Sequence, residues 1–138
     1  MKETYVLDAC ALIACMAGEE GAETVRGILE RASENNAEVM MHQLNLLEVY
    51  YDILRRYGNE SADDFLAEIR SSPIAIVREI SDKLLRKAGY FKANYKISLA
   101  DAIALAAAST LEAALITSDH HEFDIVEKME SLCFLWIR

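Results

Sequence analysis

Short apolar runs alternate with longer amphipathic segments along this chain, and the alternation constrains the fold more than any other feature. Residues 5–7 form a compact apolar run that ends in Asp8, as is typical of a buried parallel strand. Comparable runs predict strands at residues 39–41, 74–77, 114–117 and 132–137. Alternating elements of this kind favour an α/β fold, in which a central parallel sheet of four to five strands is flanked by helices on both faces.

Helices are predicted between these runs. Residues 43–57 carry apolar side chains at i, i+3 and i+4 spacing, and Gly58 is predicted to end that helix. Ser61 opens a sequence like a capping box and is predicted to begin the next helix. Residues 98–111 are rich in alanine and apolar on nearly every side, which predicts a buried helix. The remaining helices are predicted at residues 9–16, 19–33, 61–70, 81–95 and 122–129.

The size and composition of the chain indicate a single domain spanning residues 1–138. A chain of 138 residues, 53% of them hydrophobic, can bury a sizeable core. No apolar run approaches the roughly 20 residues of a membrane span, and no signal-peptide pattern is present, so a cytoplasmic protein without a membrane partner is expected. The odd number of cysteines predicts buried, unreactive thiols at Cys10, Cys15 and Cys133.

The overall charge limits the partners that such a protein can attract. A net charge of −9 argues against broad electrostatic attraction to nucleic acid. Divalent cations bound at acidic positions would reverse the local charge, so a nucleic-acid substrate stays compatible with this composition. An acidic surface would also suit a basic protein partner.

Four acidic residues stand at the ends of predicted elements or within apolar stretches. Asp8 and Asp119 each follow a predicted strand. Glu48 interrupts an apolar helical segment, and Asp101 lies at the start of the alanine-rich helix. Carboxylates are rarely buried without a partner. Since the carboxyl ends of parallel strands share one edge of the sheet, Asp8 and Asp119 are expected at the same edge.

Each acid also has an interpretation that requires no ligand. Asp8 is a favourable N-cap for the helix that follows it, and Asp101 fits a capping box that begins at Ser98. Asp119 stands where turns favour aspartate. Glu48 is harder to explain, because no lysine or arginine stands three or four residues away to form a helical ion pair.

Taken together, the four acids indicate a metal site. Carboxylates that lie close together repel and raise one another's pKa unless a cation is present. Their hard oxygen atoms, with no cysteine–histidine set at ligand spacing, favour Mg²⁺ or Mn²⁺ over zinc. Such an ion suits chemistry on phosphate groups, because it bridges substrate oxygens.

Four segments of the sequence resemble the PIN domain and, more narrowly, the VapC-type toxins of prokaryotic toxin–antitoxin pairs. They occur in the family's order and together span nearly the whole chain. They are residues 6–14, 45–50, 98–106 and 115–119, which read VLDACALIA, NLLEVY, SLADAIALA and LITSD. The resemblance implies a three-layer PIN-like fold and an endoribonuclease that depends on Mg²⁺ or Mn²⁺ and cleaves RNA with a metal-activated water.

The resemblance also implies roles for individual residues. The four catalytic and metal-binding residues would be Asp8, Glu48, Asp101 and Asp119. The family often has Ser or Thr near the last of these acids, which Thr117 matches, and a variable further acid, for which Glu122 or Asp124 would serve. The family commonly has Ser or Asn where Cys10 stands, so this chain would lose a polar contact there but no metal ligand.

Partners follow from the resemblance as well: an RNA substrate, a small antitoxin protein and a second copy of the chain in a homodimer. Two surfaces are candidates for such contacts, although a solvated face and core packing are the respective alternatives. The basic helix face that would guide RNA consists of Lys83, Arg86, Lys87 and Lys92. The apolar surface that would contact antitoxin or dimer partner consists of Tyr50, Tyr51, Tyr57, Phe65, Leu66 and Ile69.

Other functional classes fit the sequence less well. His42, His120 and His121 have no cysteine at zinc-site spacing and are predicted to be solvated beside the acidic edge. The chain has no nucleophile elbow, Walker loop or dinucleotide-binding fingerprint. Two alternatives stay open: a catalytically degenerate PIN-like module that binds RNA or protein, and a nuclease directed at DNA.

Overall fold

The computed structural model describes residues 2–138 and contains strands and helices in the predicted order. The strands are β1 (Glu3–Leu7), β2 (Ala37–His42), β3 (Ile74–Val77), β4 (Ala114–Thr117) and β5 (Phe134–Trp136). The helices are α1 (Ala9–Ala17), α2 (Ala22–Ser33), α3 (Gln43–Tyr57), α4 (Asn59–Arg70), α5 (Asp82–Asn94), α6 (Leu99–Thr110) and α7 (His120–Met129). None of the helices described is long and apolar enough to cross a lipid bilayer.

The five strands form one parallel sheet in the spatial order β3-β2-β1-β4-β5. The chain builds the sheet outward from β1 through β2 to β3, and then returns to the other side of β1 for β4 and β5. The order in which successive strands are added therefore reverses between β1 and β4. In open parallel sheets, ligands bind outside the carboxyl ends of the strands at such a reversal.

Alternate residues of the central strands face opposite layers of helices. In β1, Tyr5 and Leu7 pack with helices α1 to α4, whereas Val6 packs with helices α5 to α7. In β4, Ile116 and Leu115 divide between the two layers in the same way. The sheet is thus the middle of three layers, and the predicted three-layer α/β fold is confirmed.

Helix α6 lies deep in the second layer, as its composition predicts. Every residue from 102 to 108 is buried, and five of these seven are alanines, whose small side chains let the helix approach the sheet closely. Ser98 caps the helix, because its Oγ accepts a hydrogen bond from the N–H of Asp101 at 3.1 Å. The cap fixes the first turn of α6, on which Asp101 stands.

Two helices begin earlier than the sequence predicts. Helix α4 begins at Asn59 and not at Ser61, because Gly58 has a φ of 93° and links α3 to α4 as a single residue. Helix α7 begins at His120 and not at Glu122, because Asp119 caps it. The apolar spacing predicts that both helices exist, whereas the connecting residues determine where they start.

The solvation predicted for His42 and the burial predicted for the thiols need correction. His42 is buried, with 2% of its surface exposed, because it caps α3: its Nδ1 accepts the N–H of Leu44 at 3.0 Å, and its other ring nitrogen contacts the carbonyl of Glu79 at 3.0 Å. Cys133 is exposed in the irregular segment before β5, whereas Cys10 and Cys15 are partly buried.

Candidate active site

A pocket of about 340 Å³ lies beside the carboxyl ends of β1 and β4, where the strand order of the sheet reverses. Its lining includes all four of the acids predicted from the sequence: Asp8, Glu48, Asp101 and Asp119. Glu122 lines the pocket as well, whereas Asp124 does not and instead contacts His120 on α7. The fold therefore brings together side chains from α3, α6 and the ends of two strands.

Asp8 is the most buried of these acids, with 3% of its surface exposed. Its Oδ1 accepts the N–H of Ala11 at 2.8 Å, so the capping interpretation of Asp8 is confirmed. The pKa of Asp8 is raised to about 7, chiefly by burial and also by the charges of Asp101 and Asp119, while hydrogen bonds from Thr117 and Ala11 act in the opposite direction. Capping alone does not require such burial, since capping residues are satisfied equally well at a surface.

Thr117 connects the two strand-end acids. Its side chain is fully buried, and its Oγ1 accepts the N–H of Asp119 at 3.1 Å. A hydrogen bond from its side chain lowers the pKa of Asp8, which favours the carboxylate form. Thr117 thus contacts the acid at the end of β1 and orients the acid that follows β4.

Glu48 and Asp101 face the pocket from two helices, α3 and α6. Burial raises the pKa of Glu48, and the charge of Asp101 adds to this increase, while the amide of Asn45 acts in the opposite direction. Burial likewise raises the pKa of Asp101; hydrogen bonding from Ser98 lowers it, and the charges of Asp119 and Glu122 raise it. These mutual effects indicate that the carboxyl groups are close enough to repel one another.

The pocket carries an uncompensated negative charge. Asp52 also lines it and forms ion pairs at 3.1 Å with both Arg55 and Arg56, which are the two cationic residues of the lining. Within residues 2–138, no ion pair involves any of the other lining acids, which are Asp8, Glu48, Asp101, Asp119 and Glu122. A bound cation would relieve the repulsion among these carboxylates.

The donor atoms of the pocket fit Mg²⁺ or Mn²⁺. They are carboxylate oxygens, the ligands that hard divalent ions prefer. Burial raises the pKa of the Cys10 thiol to about 11, and sulfur is a soft ligand that Mg²⁺ and Mn²⁺ do not favour. In the described part of the chain, no three acidic, histidine or cysteine side chains are grouped tightly enough to enclose an ion. That spacing is compatible with Mg²⁺, which commonly keeps several waters and uses one or two carboxylates.

Sequence reasoning missed three residues beside these acids. Asn45 is buried one turn before Glu48 and donates from Nδ2 to the carbonyl of Ala100 at 3.1 Å. Arg55 and Arg56 follow Glu48 by seven and eight positions, which places them near the same face of α3. Inspection of the helix positions seven and eight residues after Glu48 would have found the two arginines. The burial of Asn45, in contrast, follows only from the packing of α3 against α6.

The basic residues predicted to guide RNA lie elsewhere. Lys83, Arg86, Lys87 and Lys92 stand on α5, and none of them lines the pocket. Lys92 donates to the carbonyl of Ile97 at 2.7 Å. Lys87 lies over the rings of Tyr90 and Phe91, 5.3 and 5.6 Å from their centres. A role of this helix face in RNA binding stays a prediction.

The predicted apolar contact surface divides into core and exposed parts. Phe65 and Ile69 are buried in the first core layer, so packing explains both of them. Tyr51 and Tyr57 are 48% and 71% exposed, and Tyr50 lies beside a second pocket of about 190 Å³ between α3 and α4. Its lining is Gln43, Leu46, Leu47, Tyr50, Leu66, Arg70 and Arg78.

Comparison with known proteins identifies the family. The sequence profile described as the PIN domain matches residues 5–129. The chain belongs to the PIN domain family. The family resemblance inferred from the four sequence segments is therefore confirmed.

Solved structures of VapBC and VapC proteins share this fold. A DNA-bound VapBC complex from Salmonella typhimurium contains a chain that is 14% identical, with a TM-score of 0.74 and full coverage of both chains. VapBC-1 from nontypeable Haemophilus influenzae contains one that is 18% identical, with a TM-score of 0.73 over 97% of this chain and 98% of that one. VapC20 from Mycobacterium tuberculosis, described as a toxin that cleaves the sarcin-ricin loop, is 18% identical, with a TM-score of 0.63 over 88% and 94% of the two chains. A search of curated proteins found no significant match.

Proposed function

We propose that this PIN domain is a metal-dependent endoribonuclease and the toxin of a VapC-type toxin–antitoxin pair. One observation carries the proposal: five carboxylates that have no cationic partner among residues 2–138 line one pocket, where the strand order of the sheet reverses. Relatives in fold support the toxin assignment, because they come from VapBC complexes and include a toxin described as cleaving RNA of the sarcin-ricin loop.

The chemistry follows from the donor set. A divalent ion bound at the pocket would lower the pKa of a coordinated water and neutralise charge on the scissile phosphate. Asp8, Glu48, Asp101 and Asp119 would hold that ion, directly or through its bound waters, with Glu122 as the further acid of the lining. Hydrolysis of the phosphodiester is expected to leave a 5′-phosphate and a 3′-hydroxyl.

The chain's own residues would prepare the pocket for this reaction. Thr117 holds the backbone of Asp119 and favours the ionised form of Asp8, which is the form that binds a cation. Ser98 caps α6 and so fixes the turn that carries Asp101. The guanidinium groups of Arg55 and Arg56 lie in the same lining and would contact phosphates that flank the one being cleaved.

A small antitoxin would inhibit such a toxin by covering the pocket. Basic side chains of an antitoxin segment would complement the uncompensated acids, as a divalent ion bound in the pocket would. The exposed tyrosines of α3 and the apolar pocket between α3 and α4 offer an adjacent surface for the antitoxin or for a second copy of this chain.

The Asp101→Asn substitution tests the proposed activity. It removes one charge from the pocket and keeps the side-chain shape, so we expect Mn²⁺-dependent cleavage of single-stranded RNA to fall by about 100-fold or more. We expect the free energy of unfolding to change by no more than about 1 kcal/mol, because Ser98 provides the helix cap. End-labelled RNA and DNA oligonucleotides of the same sequence, resolved on gels, measure the cleavage and the choice of substrate.

Asp64→Asn is the matched control, since Asp64 is an exposed acid on α4 outside the pocket. Equal rates of RNA cleavage by wild type and Asp101→Asn, or a rate that does not depend on added metal, would favour a degenerate binding module. Preferential cleavage of the DNA oligonucleotide would favour a DNA-directed nuclease.

A further inference from the structure

Three aromatic rings form a stack at the edge of the sheet where the acidic pocket lies. The ring of His120 lies 3.9 Å from that of Trp136, with 11° between the planes. Trp136 in turn stacks with Phe134 at 5.3 Å and 9°. Both strand residues belong to β5 and pack against the second core layer, so the stack stands on a rigid element.

Contacts at both ring nitrogens and stacking on one face hold the ring of His120 in place. Its Nδ1 contacts Oδ1 of Asp124 at 2.8 Å, and its Nε2 contacts the carbonyl of Arg138 at 2.7 Å. Trp136 covers one face of the ring. The His120 side chain nevertheless remains 48% exposed, so the surface left open consists of the opposite face and the carbon edge.

His120 directly follows a residue that lines the pocket. Asp119 lines the pocket, and His120 is the next residue, whose Cα lies about 3.8 Å away along the chain. Trp136 pairs with Thr117, the last residue of β4, so the stack and the pocket lie at the same edge of the sheet, where an RNA strand with one phosphodiester in the pocket would have its neighbouring nucleotides. With both ring nitrogens engaged, His120 offers such a neighbour a flat surface.

We propose that His120 extends the Phe134–Trp136 stack as a platform for one nucleobase of single-stranded RNA, next to the phosphodiester in the pocket. The assignment rests on the proposed function, because RNA is the occupant. Unpaired bases stack on aromatic side chains with little dependence on sequence, whereas bases within a duplex have no free face. The platform therefore selects single-stranded substrate.

Binding to two probes tests the platform. All proteins carry Asp101→Asn, so that RNA is bound without being cut. The probes are a fluorescent 12-nucleotide single-stranded RNA and a ribose-phosphate oligomer of equal length that lacks bases, and fluorescence anisotropy gives their Kd values. We expect His120→Ala to weaken RNA binding about fivefold or more and to leave binding of the base-free oligomer unchanged. His120→Phe, which keeps a planar ring, is expected to restore RNA binding.

His121→Ala is the matched control, because His121 is an exposed neighbour on the same helix outside the stack. Trp136 is the only tryptophan of the chain, so its emission is expected to change with RNA and not with the base-free oligomer. Equal weakening of both probes by His120→Ala, or no weakening of either, would overturn the platform. Unchanged RNA binding together with weaker binding of an antitoxin would assign the face to protein.

Cleavage by the chain with Asp101 intact separates the two proposals. If that protein cuts RNA and His120→Ala leaves binding of RNA unaltered, the platform is wrong and the nuclease stands. If it cuts neither RNA nor DNA while the base-dependent binding is found, the nuclease is wrong and the platform stands. Absence of RNA binding in every protein would contradict the platform and weaken the nuclease proposal together.

Discussion

Asp8 combines two interactions that are usually separate. Its carboxylate caps α1 through the N–H of Ala11, and the same side chain is buried among other acids. Burying a carboxylate costs free energy unless it is paired. Without a bound cation, this buried carboxylate destabilises the fold. Such a position is expected of a metal ligand and not of a helix cap alone.

The pH dependence of stability tests this burial. The folded-state pKa of Asp8 is raised from 3.8 to about 7, so the folded protein holds the proton to higher pH than the unfolded chain. With divalent ions removed, the cost of ionising Asp8 therefore grows as the pH rises from about 4 to 7. Asp8→Asn keeps a good N-cap and removes the charge. We expect it to stabilise the protein at pH 8 by at most about 4 kcal/mol, and by less at pH 5.

Urea unfolding at both pH values in the presence of a chelator measures the difference. Asp64→Asn, at an exposed position, should show no such gain. A variant Asp8→Asn that is less stable than wild type at both pH values would mean that the carboxylate is needed for the fold itself.

At this scale the sequence predicts which acids line the pocket, but not how their side chains are held. The positions of Asp8 and Asp119 after apolar strands are visible without coordinates. Burial of His42 is not visible, because it follows from the carbonyl of Glu79, which is 37 residues away in the chain. The sequence also gives no sign that His120 stacks on Trp136, since that contact depends on where β5 joins the sheet.

Among the elements, the junction of α3 with α6 determines how Glu48 and Asp101 face each other. Asn45 is buried in this junction, and its Nδ2 donates to the carbonyl of Ala100, the residue before Asp101. Its Oδ1 is buried and has no hydrogen-bond partner in the described chain. A buried amide with one unsatisfied atom costs free energy, so a positional role would explain its presence better than stability does.

Asn45→Ala should therefore reduce activity more than its effect on folding predicts. We expect a loss of about 1–3 kcal/mol in the free energy of unfolding, because the carbonyl of Ala100 loses its donor. We expect kcat for RNA cleavage to fall at temperatures where the variant is fully folded. Asn94→Ala is the control, since the exposed Asn94 also donates to a backbone carbonyl, that of Tyr90 at 2.8 Å. Unchanged kcat in Asn45→Ala would show that the junction only stabilises the fold.

The existence and type of the elements can be predicted from apolar spacing, whereas their boundaries depend on single residues. The spacing in residues 43–57 identifies α3 with the bounds observed. The start of α4 shifts because Gly58 adopts a positive φ, a conformation that no pattern of apolar residues encodes. The start of α7 shifts because Asp119 caps the helix, its Oδ1 accepting the N–H of Glu122 at 3.2 Å.

For the whole molecule, the order of the strands creates the pocket. The alternation of elements predicts a parallel sheet, yet several strand orders would satisfy it. Only an order that places β4 beside β1 brings Asp119 near Asp8, and the observed β3-β2-β1-β4-β5 order does so. Helices α3 and α6, which belong mainly to opposite layers, then contact each other across that edge and supply Glu48 and Asp101.

Titration of Mn²⁺ into the protein, followed by the loss of the electron paramagnetic resonance signal of the free ion, tests the metal site most directly. We predict saturable binding that Asp8→Asn and Glu48→Gln each weaken by about tenfold or more, with Asp64→Asn unchanged. Absence of saturable binding, or equal affinity in all four proteins, would contradict a divalent-ion site built from these carboxylates.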